Sequence, residues 1–217
     1  MPLNSYAIEF SLCNIPGLSE HYIYMNDDMF IGKPIEKDFF FDSDGKPKIP
    51  SKKKDWGNVN SMVKSLHHHS QRNDMKGVQF SCVVHNTVQI CQNYFKKTQK
   101  GEYDHTPTPI TKKIMKEIYK NFPDTIHSTI TSQFRNYTNV LMQLLVQLYG
   151  VGSGLATPLP VTANISKFFM VSGVSAFSGL KEDKPILFCV NTDISHFRND
   201  VKHTLDEWMP DKSEYEL

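Results

Sequence analysis

The 217 residues carry 24 Lys+Arg against 23 Asp+Glu, a formal net charge of +1, with 39% hydrophobic and 22% charged side chains. That is a globular composition, long enough for a sizeable core, and its charge balance gives no long-range pull toward nucleic acid or an acidic membrane. No apolar run reaches the roughly 18–20 residues that span a bilayer, and no basic-then-apolar leader opens the sequence, so the chain reads as soluble and cytoplasmic.

In chain order, "NSYAIEFSLCN" places Ala7, Ile8 and Leu12 so as to predict a short amphipathic helix over 4–14, stopped by Pro16-Gly17. Residues 21–25 alternate and are rich in Tyr and Ile, which predicts a strand. Residues 33–55 read as a long loop, with Asp44-Gly45 as its turn and Phe39-Phe40-Phe41 as its anchor. Within it, Lys52-Lys53-Lys54 reads as solvated.

Helical periodicity follows over 56–67, 77–97, 109–121 and 132–149. The third helix has Pro109 near its start and Ile110, Ile114, Met115 and Ile118 on one face. The fourth ends at "GVGSG". Strands are predicted over 165–171 and 185–190, and a last helix over about 197–208. Short strands among many helices predict an α/β protein. Cys13, Cys82, Cys91 and Cys189 form no CxxC pair and read as reduced core residues. His67-His68-His69 cannot all face one ion on a helix and reads as a solvated helix end.

Chemistry gathers at strand ends. Asn26-Asp27-Asp28 closes the first strand. In open α/β sheets ligands bind beyond the carboxyl ends of strands, where a carboxylate can hold a cation or take a proton. The dipeptide alone fits a turn and helix cap more simply. "ILFCVNTD" repeats the pattern, so Asp193 could join Asp28 at one site. His105 in "YDHTPTP" is held by a Pro-rich turn, which suits a proton donor or phosphate contact; a structural or exposed histidine is the simpler reading. Arg135 in "SQFRNYTNV" is placed at a helix start, where its fork could meet phosphate oxygens or make a surface salt bridge. No GxGxxG, Walker loop, GxSxG or HExxH occurs.

Taken together, "NSYAIEF", "IPGLSEHYIYMNDDMFIGKPIEKDFF", "DHTPTPITKKIMKEIYKNFPD", "FRNYTNV", "LFCVNTDI" and "WMPDKSEYEL" resemble, in order and spacing, the second, third and fourth conserved blocks of the Stealth family. That family includes bacterial capsular polysaccharide phosphotransferases and the lysosomal-enzyme N-acetylglucosamine-1-phosphotransferase. The resemblance implies one catalytic domain over 1–217, with blocks over 1–50, 56–150 and 160–217. It implies an incomplete nucleotide-sugar transferase core of the GT-A or Rossmann-like kind. It also implies transfer of a sugar-1-phosphate from a UDP-sugar, typically a UDP-N-acetylhexosamine, to a glycan hydroxyl with release of UMP, using Mg2+ or Mn2+. Carried over by residue, Asp28 is the acceptor base or a metal contact. His105 and Arg135 meet the transferring phosphate. Asp193 completes the acidic side, Asn26 and Asp27 shape the loop, and Asn4 and Glu9 line the donor or acceptor pocket. The family's first block, a strand with an Asp and a Trp, has no counterpart in these residues. Ser11, Cys13 and Asn14 stand near where relatives often carry His and Arg, and Thr192 replaces an Asp. An inactive fragment or a sugar- or nucleotide-binding module is the alternative. A sheet edge left open by the missing strand would take a partner chain or a second copy.

Overall fold

The computed structural model describes residues 4–36, 38–55, 68, 70–71, 74–97, 100–102, 105–160, 162, 164–171, 178–179, 182–192 and 197–211. Among them lie six α-helices and eight strands, an α/β arrangement as expected. The predicted helix over 56–67 and Asp193 lie outside the described residues. None of the described helices is long and apolar enough to cross a membrane. The chain divides into two compact units, Met1–Ile23, Phe40–Tyr103 and Pro109–Pro160 in one, Tyr24–Phe39, Asp104–Thr108 and Val161–Leu217 in the other.

The first unit opens with helix α1, Ser5–Ser11, continued by a 3-10 turn over Leu12–Asn14. Its buried side chains Tyr6, Ala7 and Phe10 make the inward stripe. Strand β1, His21–Tyr24, pairs with β5, Thr108–Thr111. The Asp44-Gly45 turn forms as predicted: Gly45 has φ +73°, and the Asp42 carboxylate accepts from the Asp44 and Lys46 amides.

The predicted loop over 33–55 does not run to its end. Residues Lys48–Asp55 form strand β3, parallel to β6, Thr157–Pro160, and antiparallel to β4, Lys100–Glu102. Proline-rich β6 fits because it lies at the edge of this β4-β3-β6 sheet, where a missing N–H costs no ladder bond. The Lys52-Lys53-Lys54 run is therefore on a strand backbone.

Helix α2, Met75–Phe95, is N-capped by Asp74 and buries Val83, Val84, Val88 and Cys91. Helix α3 spans Lys112–Asn121. It starts later than predicted because Pro109 and Ile110 belong to β5 and Thr111 caps the helix, accepting from the Ile114 amide. Ile114, Met115 and Ile118 form its buried stripe, as the periodicity required. A separate helix α4, Pro123–Ile130, begins with proline at its first turn.

The helix predicted over 132–149 is observed as α5, Met142–Ser153, ended by Gly154 at φ +74°. Residues 132–141 are irregular because their own polar side chains capture the backbone. Asn136 Oδ1 accepts from the Thr138 amide, and Asn139 Oδ1 accepts from the Asn136 amide. Arg135 thus sits in a loop, not at a helix start. Of the cysteines, Cys91 and Cys189 are buried as read, but Cys13 and Cys82 are only half-buried. Burial pushes the Cys91 thiol up to about 12.

The second unit is built on a three-stranded sheet in the order β2-β8-β7. Strands β7, Ser166–Met170, and β8, Leu187–Asn191, are parallel; β2, Met29–Ile31, runs antiparallel to β8. Its geometry is compatible with part of a GT-A-like core. One face packs on helix α6, Phe197–Trp208, through Phe169, Val171, Phe188, Val190 and Val201. Phe30 stacks on Phe188 with centroids 5.1 Å apart, and Trp208 meets Phe188 edge-on.

Candidate active site

Asp28 stands just before β2, in the turn that Asn26 initiates. The Asn26 carbonyl accepts from the Met29 amide, and the Tyr24 hydroxyl donates to Asn26 Oδ1 at 2.5 Å. Asp27 is exposed in the same turn. The Asp28 carbonyl accepts from the Val190 amide at 3.0 Å, which fixes the turn against the end of β8.

Three side chains converge on the Asp28 carboxylate. Asn191 Nδ2 donates to Oδ2 at 2.7 Å, His105 Nε2 lies 3.4 Å from the same oxygen, and the Cys189 thiol also hydrogen-bonds to the carboxylate. His105 is carried by a short segment tied to β7 through Thr106, whose hydroxyl is 3.3 Å from that of Ser166. Asp28 and His105 are each partly exposed, at 21% and 27%. Burial works against the charged form of Asp28. Hydrogen bonding and charge from His105, then Cys189 and Asn191, outweigh it, so the carboxyl is held below its ordinary pKa. Its Oδ1 is buried and has no hydrogen-bond partner among the described residues.

Asp28, His105 and Cys189 bring three ligand atoms within 4.8 Å of one another. A carboxylate, an imidazole and a thiol together suit a softer ion than magnesium, which takes oxygens in an octahedral shell. The fit to Mg2+ or Mn2+ rests on Asp28. Its buried Oδ1, without a hydrogen-bond partner among the described residues, could supply one anionic oxygen to such an ion.

Asn4, Glu9 and Arg135 come together in the first unit. Asn4 is fully buried. Its Oδ1 caps α1 by accepting from the Tyr6 amide, while Nδ2 donates to Ser132 O, Phe134 O and Asn139 Oδ1 at 3.2, 3.4 and 3.0 Å. Asn4 therefore pins the loop that carries Arg135 to the start of α1. The exposed Arg135 guanidinium donates to Ser5 Oγ at 2.6 Å and lies over the Tyr6 ring, 4.9 Å from its centroid. Its backbone carbonyl accepts from Gln79 at 2.8 Å. Glu9 is buried nearby. Burial raises the Tyr6 phenol, with the Arg135 charge opposing and the Glu9 charge adding.

Sequence reasoning missed Asn191 and Cys189. The signal was present in "CVNTD": the weight fell on its acidic residue, while the side chain that reaches Asp28 is the asparagine two positions earlier.

Comparison with known proteins places the chain beside one family. Residues 2–49 match Stealth protein CR2, conserved region 2, and residues 104–151 match Stealth protein CR3, conserved region 3. The first match contains Asn4, Glu9 and Asp28, and the second contains His105 and Arg135. The chain is 31% identical over 154 residues to the capsular polysaccharide phosphotransferase SacB of Neisseria meningitidis serogroup A, covering 70% of this chain and 26% of that protein. It is 29% identical over 157 residues to the exopolysaccharide phosphotransferase CpsY of Mycobacterium tuberculosis, covering 71% and 27%. The chain thus spans about a quarter of the length of these curated relatives.

Proposed function

The chain belongs to the Stealth family, and from that premise we propose that it transfers a sugar-1-phosphate from a UDP-sugar, of the N-acetylhexosamine kind, to a sugar hydroxyl. The observation that carries this is the His105–Asp28–Asn191 contact at the end of β8. Curated relatives named as phosphotransferases in capsule and exopolysaccharide synthesis support the same class of reaction.

The acceptor oxygen attacks the phosphorus that bears the sugar. The bridging P–O bond to the second phosphate breaks, and its electrons leave with UMP. The acceptor proton must go to a base. A carboxylate with a depressed pKa is a weak base, because proton-transfer efficiency falls as basicity falls. Asp28 is therefore better suited to orient the His105 ring through Nε2, with His105 Nδ1 or a substrate-bound water handling the proton. Asn191 holds the carboxylate in place. Arg135, on the surface of the first unit, carries a permanently charged fork suited to phosphate oxygens. Mg2+ or Mn2+, held through Asp28, would offset the negative charge of the phosphates.

Phosphorus NMR of the product tests this reading. A new phosphodiester resonance, bonded to both sugars, is expected. A neutral glycosidic linkage would refute it.

A further inference from the structure

The sheet face that carries Asp28 also carries two exposed apolar side chains. Neighbouring side chains along a strand point to opposite faces. On β8, Phe188 and Val190 enter the core with Val201, so Cys189 and Asn191 point the other way, where they meet Asp28. In the β7–β8 register Phe168 lies opposite Cys189 and Met170 opposite Asn191, while Phe169 between them is in the core. Phe168 is 39% exposed and Met170 is 47% exposed. The Phe168 ring centroid is 6.3 Å from that of His105, with the planes at 66°. Single exposed apolar residues are ordinary. Two side by side on the face that holds the polar cluster, one in ring contact with His105, are not scattered.

Resting on the phosphoryl-transfer reading above, we propose that Phe168, flanked by Met170, is the floor on which a pyranose ring bonded to the reacting phosphorus lies. Besides the leaving phosphate, two groups adjoin that phosphorus, and both are sugars: the transferred one and, as it attacks, the acceptor. The nucleobase is separated from it by a ribose and a second phosphate. A ring resting beside His105 is therefore a sugar. The C–H groups on a pyranose face carry partial positive charge and meet the negative face of an aromatic ring, and both lose water-exposed apolar area. Phe168 is a positioning residue: it sets where the sugar lies and takes no part in proton transfer.

The test is ligand-observed NMR titration of the chain with N-acetylglucosamine-1-phosphate, and separately with a neutral acceptor disaccharide. Wild type is compared with Phe168→Ala, Phe168→Tyr and Phe168→Leu. Phe168→Ala is expected to weaken one ligand about tenfold, Phe168→Tyr to stay within about twofold of wild type, and Phe168→Leu to recover little, on the scale of base–aromatic stacking. Loss for the sugar phosphate assigns the floor to the donor, and loss for the disaccharide assigns it to the acceptor. Unchanged binding of both by Phe168→Ala, recovery by Leu equal to that by Tyr, or a wild-type chain that binds neither sugar overturns the proposal. Turnover is not needed. Sugar binding that depends on Phe168 without any phosphodiester product sinks the reaction reading alone; product formation with Phe168-independent binding sinks the floor alone.

Discussion

Asn191 Nδ2 lies 2.7 Å from Asp28 Oδ2, joining residues 163 positions apart. The contact closes the turn after β1 onto the end of β8 and sets the carboxylate beside His105. The hydrogen bonds and charge that hold Asp28 ionised tie the state of the cluster to pH.

The Asp28 pKa is lower in the folded chain than its ordinary value near 3.9. The unfolded chain then binds the proton more readily. The associated stability is fully present above about pH 4 and is lost as pH falls through the folded value. Urea unfolding of wild type and Asp28→Asn from pH 7 to pH 2.5 should show a constant difference above about pH 5. Below about pH 4 that difference should shift against the wild type. A difference that stays flat across the range would mean the carboxylate is not held ionised.

Asn4 is expected to be structural in its effect. Asn4→Ala removes an N-cap and the two Nδ2 hydrogens shared among three acceptors, at a cost of about 2–3 kcal/mol. Asn4→Asp keeps the cap acceptor but turns a buried charge toward three oxygens, so it should cost more than Ala. Denaturant unfolding checks both. Asn4→Asp as stable as wild type would show that the Nδ2 donations contribute nothing.

Gly45 combines φ +73° with a close neighbour. A Cβ there would lie 2.8 Å from His21 Nε2, which itself is 2.9 Å from the Gly45 carbonyl. Gly45→Ala should lower stability by about 1–2 kcal/mol through strain and displacement of His21. An unchanged thermal midpoint would contradict the tight turn.

The apolar stripes of α2 and α3, the β7 and β8 strands and the Asp44-Gly45 turn were legible because periodicity and turn chemistry are local. The break before α5 was not. Residues 132–139 look helical by spacing, yet Asn136 and Asn139 bond to nearby backbone, and Asn4 pins the loop from 128 residues away. The strand at Lys48–Asp55 was hidden for the opposite reason. Its lysine- and proline-rich residues lack strand character, and only pairing with β4 and β6 makes it one. At the candidate site, Asp28 and His105 were visible as residues in suggestive turns. Their contact, and the part played by Asn191, depend on a register between β2 and β8 that no local pattern encodes.

The most direct measurement is the identity of the nucleotide released. The chain is incubated with UDP-N-acetylglucosamine, magnesium or manganese and a sugar acceptor, and the products are resolved by anion-exchange chromatography. Attack at the sugar-bearing phosphorus predicts UMP, and Asp28→Asn and His105→Ala should each cut its rate at least about a hundredfold while leaving the fold intact. Release of UDP, or of UMP at an undiminished rate from both variants, would contradict sugar-phosphate transfer at the Asp28–His105 cluster.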